Sequence, residues 1–168
     1  MLIKKVFVAM LLSGSFSSIA LAGGSHGDDD HEGSPVGQLA MASQATKTIR
    51  VSAMDTMRYK FSPQLDLQEG DIVRFVISNE GKISHEFSIG DKKEQKAHRE
   101  MMRKMPGMVH ADGNTITIKQ GETSELTWQF KGDKEVIFAC NIPGHFEAGM
   151  FAKVKIASHK EVSPHKHH

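Results

Sequence analysis

The middle of this 168-residue chain is a succession of short runs in which apolar and polar residues alternate, most of them set off by glycine turns. A period of two places successive side chains on opposite faces, so each run reads as a strand with one face buried. The runs are 48–54, 71–78, 83–89, 114–119, 123–130, 135–140 and 150–156. Turns at Glu69-Gly70, Asn79-Glu80-Gly81-Lys82, Gly121, Gly132 and Gly144 separate them. Seven or eight strands in roughly 110 residues predict an all-β fold, an antiparallel β-sandwich. One stretch breaks the rhythm. Residues 91–105 read as a helix or a long insertion before Pro106-Gly107, so an interruption is expected around 91–110.

The ends have a different composition. Lys4 and Lys5 precede a mostly apolar stretch from Val6 to Ile19, and Ala20-Leu21-Ala22 supplies small residues where a signal peptidase cuts. The apolar run falls short of the roughly 20 residues a membrane span needs. A signal peptide over 1–22 and a periplasmic product with no membrane attachment are therefore expected. Residues 23–45 are rich in Gly, Ser, Asp and His and read as a flexible arm, and 158–168 read as a His-rich tail. That leaves one domain over 46–157, with no internal repeats. Formal net charge is +1, which gives no reason to expect nucleic acid or an acidic membrane surface as partner, and a monomer is expected.

Cysteine usage narrows the chemistry. An exported protein normally pairs its cysteines, yet Cys140 is the only one here. A single thiol in an oxidising compartment is an inert core residue, an intermolecular link, a nucleophile or a metal ligand. Ten His and ten Met, against one Trp and one Tyr, lean toward the ligand.

The stretch Phe138-Ala-Cys140-Asn-Ile-Pro-Gly-His145-Phe-Glu-Ala-Gly-Met150 carries that reading. A strand delivers Cys140, a Pro-Gly loop turns back, and His145 and Met150 lie on the loop and the next strand. His85 sits 55 positions before Cys140, near the start of another strand. Two imidazoles, one thiolate and a weak thioether make a donor set that suits copper in both oxidation states, with sulfur favouring Cu(I) and imidazole tolerating Cu(II). A buried structural thiol would leave this ordered spacing to coincidence. Met150 is also a good core residue, so its case is the weaker one. Phe87, Trp128 and Phe138 read as core, and Phe146 reads as core or as part of the surface at the copper end.

The Cys-x4-His-x4-Met loop, with Asn79-x5-His85 upstream, resembles the cupredoxin (plastocyanin/azurin-like) family over about 46–157. The resemblance implies a Greek-key β-sandwich with type 1 copper at one end, His85, Cys140 and His145 as equatorial ligands and Met150 as the axial one. More narrowly, Met57-Arg58-Tyr59-x-Phe61-x-Pro63, His85-Glu86-Phe87 and Met101-Met102-x-x-Met105-Pro106-x-Met108-x-His110 are similar to the periplasmic cupredoxins of bacterial copper tolerance, the CopI type. The chain departs from the electron-carrier pattern at Glu86, where azurin and plastocyanin have Asn.

A second cluster of soft donors lies in the interruption. His98, Met101, Met102 and Met105 fall at i, i+3, i+4 and i+7, one face of a helix, with Met108 and His110 beyond Pro106. Either the methionines pack that face onto the sandwich, or the six residues form a second, Cu(I)-selective site. Both readings can hold together. The terminal histidines, among them His26, His31, His159, His165, His167 and His168, suit weak capture of Cu(II).

Three function classes compete. An enzyme fits least: a multicopper oxidase needs histidines flanking its cysteine and several such domains, whereas Ala139 and Asn141 flank Cys140. A cysteine hydrolase needs an exposed, activated thiolate, and Cys140 ends an apolar strand. A soluble single-electron carrier of the respiratory or photosynthetic type needs only one site and a docking patch. The extra Met and His clusters suit a copper-handling protein of copper tolerance, whose partners are copper ions and a redox or copper-transfer protein.

Overall fold

The computed structural model describes residues 33–158. Ten strands and one long helix make up the fold: β1 (Gly37–Leu39), β2 (Lys47–Met54), β3 (Arg58–Ser62), β4 (Ile72–Asn79), β5 (His85–Gly90), α1 (Lys92–Lys104), β6 (Ala111–Asp112), β7 (Thr115–Ile118), β8 (Thr123–Phe130), β9 (Glu135–Ala139) and β10 (Phe151–Lys155). They form two five-stranded sheets, ordered β1-β8-β4-β2-β3 and β10-β9-β5-β7-β6. The expected β-sandwich is present. Every ladder is antiparallel except β2 with β4, which run parallel with Ile49 opposite Phe75.

Alternation explains which face each strand buries. Along β4, Val73, Phe75, Ile77 and Asn79 are buried while the residues between are half-exposed. Ile49, Val51 and Ala53 of β2 do the same, and Leu126, Trp128 and Phe130 of β8 face the same interior. The second sheet contributes Phe87, Ile89, Val136 and Phe138. Phe87 and Phe138 stack at 5.4 Å, and Phe75 meets Phe87 at 5.3 Å and Phe138 at 5.4 Å. Each fully buried phenylalanine contributes about 1.5–3 kcal/mol of hydrophobic stabilisation.

β5 departs from alternation, since all six of its residues are buried. Helix α1 covers its outer face. Gln95 of α1 is buried and donates to Ser88 O at 3.2 Å and Ile137 O at 3.0 Å, which fixes the helix on β5 and β9. Asp91 caps the helix: its carboxylate accepts from Glu94 N at 2.7 Å, and the Glu94 carboxylate accepts from Asp91 N at 2.8 Å. The interruption expected around 91–110 is thus a helix followed by the turn at Pro106-Gly107.

The sandwich begins earlier than residue 46. β1 pairs with β8, and Val36 is fully buried in the main core, so residues 34–45 belong to the fold although their composition reads as part of an arm. The expected signal peptide 1–22, the arm as far as residue 32, and the tail from residue 159 lie outside the described residues. Among the described residues no helix is long and apolar enough to cross a membrane.

Candidate metal centre

Four loops and strand ends meet at one end of the sandwich. His85 opens β5, Cys140 follows the last residue of β9, and His145 and Met150 lie on the connection to β10. His85, Cys140 and His145 each offer a donor atom, all within 4.8 Å of one another, a spacing that holds one ion. Cys140 Sγ lies 3.2 Å from His145 Nδ1, and the His85 and His145 rings are 5.2 Å apart. Met150 is fully buried and packs in a small cluster with Cys140 and Ala53, bordered by Met57, Tyr59 and Ile142. The structure therefore gathers all four residues expected from the sequence.

Local hydrogen bonds hold this loop in shape. His145 N donates to Ile142 O, Met150 N donates to His145 O, and Cys140 N donates to Met150 O, each at 3.0 Å. Arg58 of β3 braces it from outside, donating to Ala148 O at 2.9 Å and to Met57 O at 2.7 Å. A Cβ on Gly149 would overlap that guanidinium, and the φ of 104° at Gly149 also favours glycine.

Asp55 orients His85 and is the residue that sequence reasoning missed. Its Oδ1 lies 3.1 Å from His85 Nε2, and its Oδ2 accepts from Lys82 N at 2.7 Å. The Lys82 N–H, opposed by desolvation and helped by His85, holds the Asp55 carboxyl below the usual range. An Nε2–H donated to a carboxylate leaves the lone pair on Nδ1. That Nδ1 is buried without a hydrogen-bond partner. Gly81 lets Asp55 approach, since a Cβ there would overlap Asp55 Oδ1. Asn79 shapes the same turn, with Nδ2 donating to Ile83 O at 2.7 Å and Oδ1 accepting from Gly81 N at 2.8 Å.

The electrostatics suit a bound cation. Burial, only partly opposed by N–H groups of Glu86 and Ile142, pushes the Cys140 thiol up to about 12. The Glu86 N–H donates to Sγ at 3.2 Å and ties the His85 strand to the cysteine. Burial, then the neighbouring His85, lowers His145, so its imidazole is neutral and free to bind. Two imidazoles, a buried thiol, an unpartnered buried nitrogen and a buried thioether fit copper. Bound there, the metal supplies a one-electron couple.

A second group lies on the outer face of β5, under α1. His98 and His110, both expected in an additional copper site, meet with their Nε2 atoms 3.3 Å apart. Glu86 joins them: Oε2 is 3.7 Å from His98 Nε2 and Oε1 is 3.9 Å from His110 Nε2. Burial raises the Glu86 carboxyl to about 7, while burial, His110 and Arg99 lower His98 to about 4. The methionines of that expected site go different ways. Met102 is buried at 1% exposure, Met101 is half-buried, and Met105 and Met108 are exposed at 44% and 38%.

Comparison with known proteins agrees with this chemistry. Residues 45–157 match the copper binding proteins of the plastocyanin/azurin family. The chain is 48% identical over 123 residues to the copper-resistant cuproprotein CopI of Vibrio cholerae serotype O1, covering 73% of each chain. It is 43% identical over 134 residues to the protein of the same name from Rubrivivax gelatinosus, covering 79% of each. Among solved structures, auracyanin B superposes with a TM-score of 0.56 at 17% identity, covering 73% of this chain and 96% of that one. An auracyanin from Roseiflexus castenholzii gives 0.55 at 16% identity, covering 67% and 98%. These likenesses to solved structures show the fold alone. With its copper-fitting donors at one end of a β-sandwich, this chain belongs to the plastocyanin/azurin family of copper-binding proteins.

Proposed function

We propose that this protein is a periplasmic type 1 copper protein that holds copper as part of copper tolerance, through His85, Cys140, His145 and Met150. The single observation that carries the ligand assignment is the convergence of three donors within 4.8 Å around an imidazole nitrogen that is buried and unpartnered. His85, Cys140 and His145 supply the strong bonds and Met150 the weak axial one. Export is supported by the pattern of residues 1–22. Tolerance is supported by the names of the two relatives, which share 48% and 43% of matched residues with this chain. The test is complementation: a host lacking this gene regains growth in copper with the wild-type chain and fails with Cys140→Ser. Full rescue by Cys140→Ser would sink the reading.

One observation favours electron transfer as a second reading. Phe146, on the ligand loop beside His145, stacks on Phe151 at 4.6 Å, and Arg99 lies over its ring at 3.7 Å. An aromatic surface beside a ligand histidine is what a carrier would use to dock. Stopped-flow exchange with a redox partner that slows in Phe146→Ser, without loss of copper tolerance, would favour the carrier.

A further inference from the structure

We infer that Glu86, His98 and His110 form a second metal-ion site, separate from the one on Cys140, which takes a borderline divalent cation, Cu(II) or Zn(II). It stands on its own geometry and does not depend on the copper-tolerance reading.

Three elements bring the donors together. Glu86 lies on the outer face of β5, His98 on the inner face of α1, and His110 on the segment entering β6. The three contacts are 3.3, 3.7 and 3.9 Å, and one donor from each residue lies within 4.8 Å of the others. Four-coordinate zinc with bonds of about 2.0–2.1 Å sets neighbouring ligands about 3.3–3.4 Å apart. The imidazole pair already has that spacing, and each ring has one carboxylate oxygen of Glu86 within 3.9 Å, Oε2 beside His98 and Oε1 beside His110.

The carboxylate is the independent sign of a missing partner. Glu86 is fully buried, and neither Oε1 nor Oε2 has a hydrogen-bond partner. Burying a carboxylate with both oxygens unsatisfied is costly, and a structure normally removes that cost with a donor or a cation. The groups facing it at close range are two imidazole nitrogens, at 3.7 and 3.9 Å, and the Asn141 backbone N–H, which offsets the effect of burial only in part. His98 and His110 keep 13% and 19% of their side chains exposed, which gives an ion a way in while Glu86 closes the bottom.

The backbone of His110 and the ring of His98 are each anchored. His110 N donates to Thr117 Oγ1 at 2.9 Å, and Thr117 N donates to His110 O at 2.8 Å. His98 Nδ1 lies 3.1 Å from Asn141 Nδ2, which also donates to Gln95 Oε1 at 2.7 Å. A donor on Nδ1 leaves the His98 proton on Nε2. The ion therefore takes the Nε2 lone pair as the ring proton moves to Nδ1, and the Asn141 amide, whose Oδ1 has no partner, turns to accept from Nδ1–H and releases Gln95. Two imidazoles and a carboxylate are borderline-to-hard donors, so the site favours a divalent cation over Cu(I), which prefers thioethers.

The test uses the full chain with one equivalent of Cu(I) already bound, and Zn(II) as the probe. The terminal histidines also bind zinc, so the quantity read is the difference between proteins: zinc retained after gel filtration, compared with His98→Asn, His110→Asn and Glu86→Gln. Each variant should retain one zinc fewer than the wild type, while its oxidised form keeps its visible colour. Equal zinc retention in the wild type and both histidine variants would overturn the site. So would loss of the ion in Met101→Leu/Met102→Leu/Met105→Leu/Met108→Leu with retention in the histidine variants, which would assign it to thioethers. Nitrogen-15 spectra of the histidine rings in the wild-type protein give an answer free of folding defects. Tight zinc should shift the Nε2 signals of His98 and His110, and shifts confined to other rings would equally overturn the proposal.

Discussion

The loop Cys140–Met150 and the segment His98–His110 hold similar donors, yet they fold by different logic. In the loop, each donor is fixed by strand ends and by hydrogen bonds within the loop itself, from Cys140 N to Met150 O and from Met150 N to His145 O. Its spacing in sequence is therefore its spacing in space. In the helical segment, one apolar-looking face is divided by what packs against it. Met102 turns into the interior, Met105 stays in solvent, and His98 finds Glu86 from another strand and His110 from beyond the turn. Donors closed into one loop announce a site. Donors on a helix face announce only a face, and the partner surface decides what it does.

The largest effect should come from the loop. Cys140→Ser removes the only thiolate, so the intense visible band expected from thiolate-to-Cu(II) charge transfer should vanish completely. Far-UV circular dichroism should hardly change, because the main core of Phe75, Phe87, Phe130 and Phe138 does not include the sulfur. A coloured serine variant would mean that the loop is no more a site than the helix face is.

A smaller loss should follow from Asp55, which lies outside the loop and tests how far that loop is self-sufficient. Asp55→Ala removes the carboxylate on His85 Nε2 and frees the ring to rotate. Partners of this kind are worth about 10- to 100-fold in metal affinity. Competition against a copper chelator measures it. An unchanged affinity would show that the loop residues alone fix His85.

The thiol also predicts a pH dependence. Cys140 stands at about 12 without metal, so below that pH copper uptake releases its proton. His145 is lowered by burial and adds no proton release near neutrality. Apparent affinity should therefore rise about tenfold per pH unit between roughly pH 7 and pH 9. The sign is fixed by the raised thiol: binding weakens as pH falls. Cys140→Ser should flatten the slope, and a flat slope in the wild type would mean that the sulfur is not a ligand.

Much of this was legible in the chain. The alternation in 71–78 and 123–130 locates β4 and β8 to within a residue or two, because each strand buries one face. The parallel pairing of β2 with β4 was not, since alternation says nothing of strand direction. β1 hides in a Gly- and Ser-rich stretch, and only the pairing of Gly37–Leu39 with β8 and the burial of Val36 reveal it. β3 begins after Met57, whose φ of 57° marks a turn that no glycine announces. Asp55 and Glu86 carry no local sign of their roles, because their partners His85, His98 and His110 come from distant segments or other elements. Glu86 stood out only as the acidic residue after His85.

The smallest effects should come from the methionines, where the two regions diverge most. Met102 is buried, so Met102→Leu conserves volume and apolarity and should cost under about 1.5 kcal/mol. Met105 and Met108 are exposed, and Met105→Leu and Met108→Leu should each change stability by no more than about 0.5 kcal/mol. Denaturant melts of the metal-free protein separate these values. Copper stoichiometry decides the rest: if the helix face is packing and surface, the triple variant keeps every copper ion the wild type holds. A helix-borne thioether site predicts instead that stoichiometry falls while stability barely moves, because leucine fills the space of methionine without its sulfur. That result would make the helix face a site of the same kind as the loop. An unchanged count would leave Met101 as the only methionine of the block still present in that variant, and with His98 and His110 already turned toward Glu86, one thioether is too few to hold Cu(I).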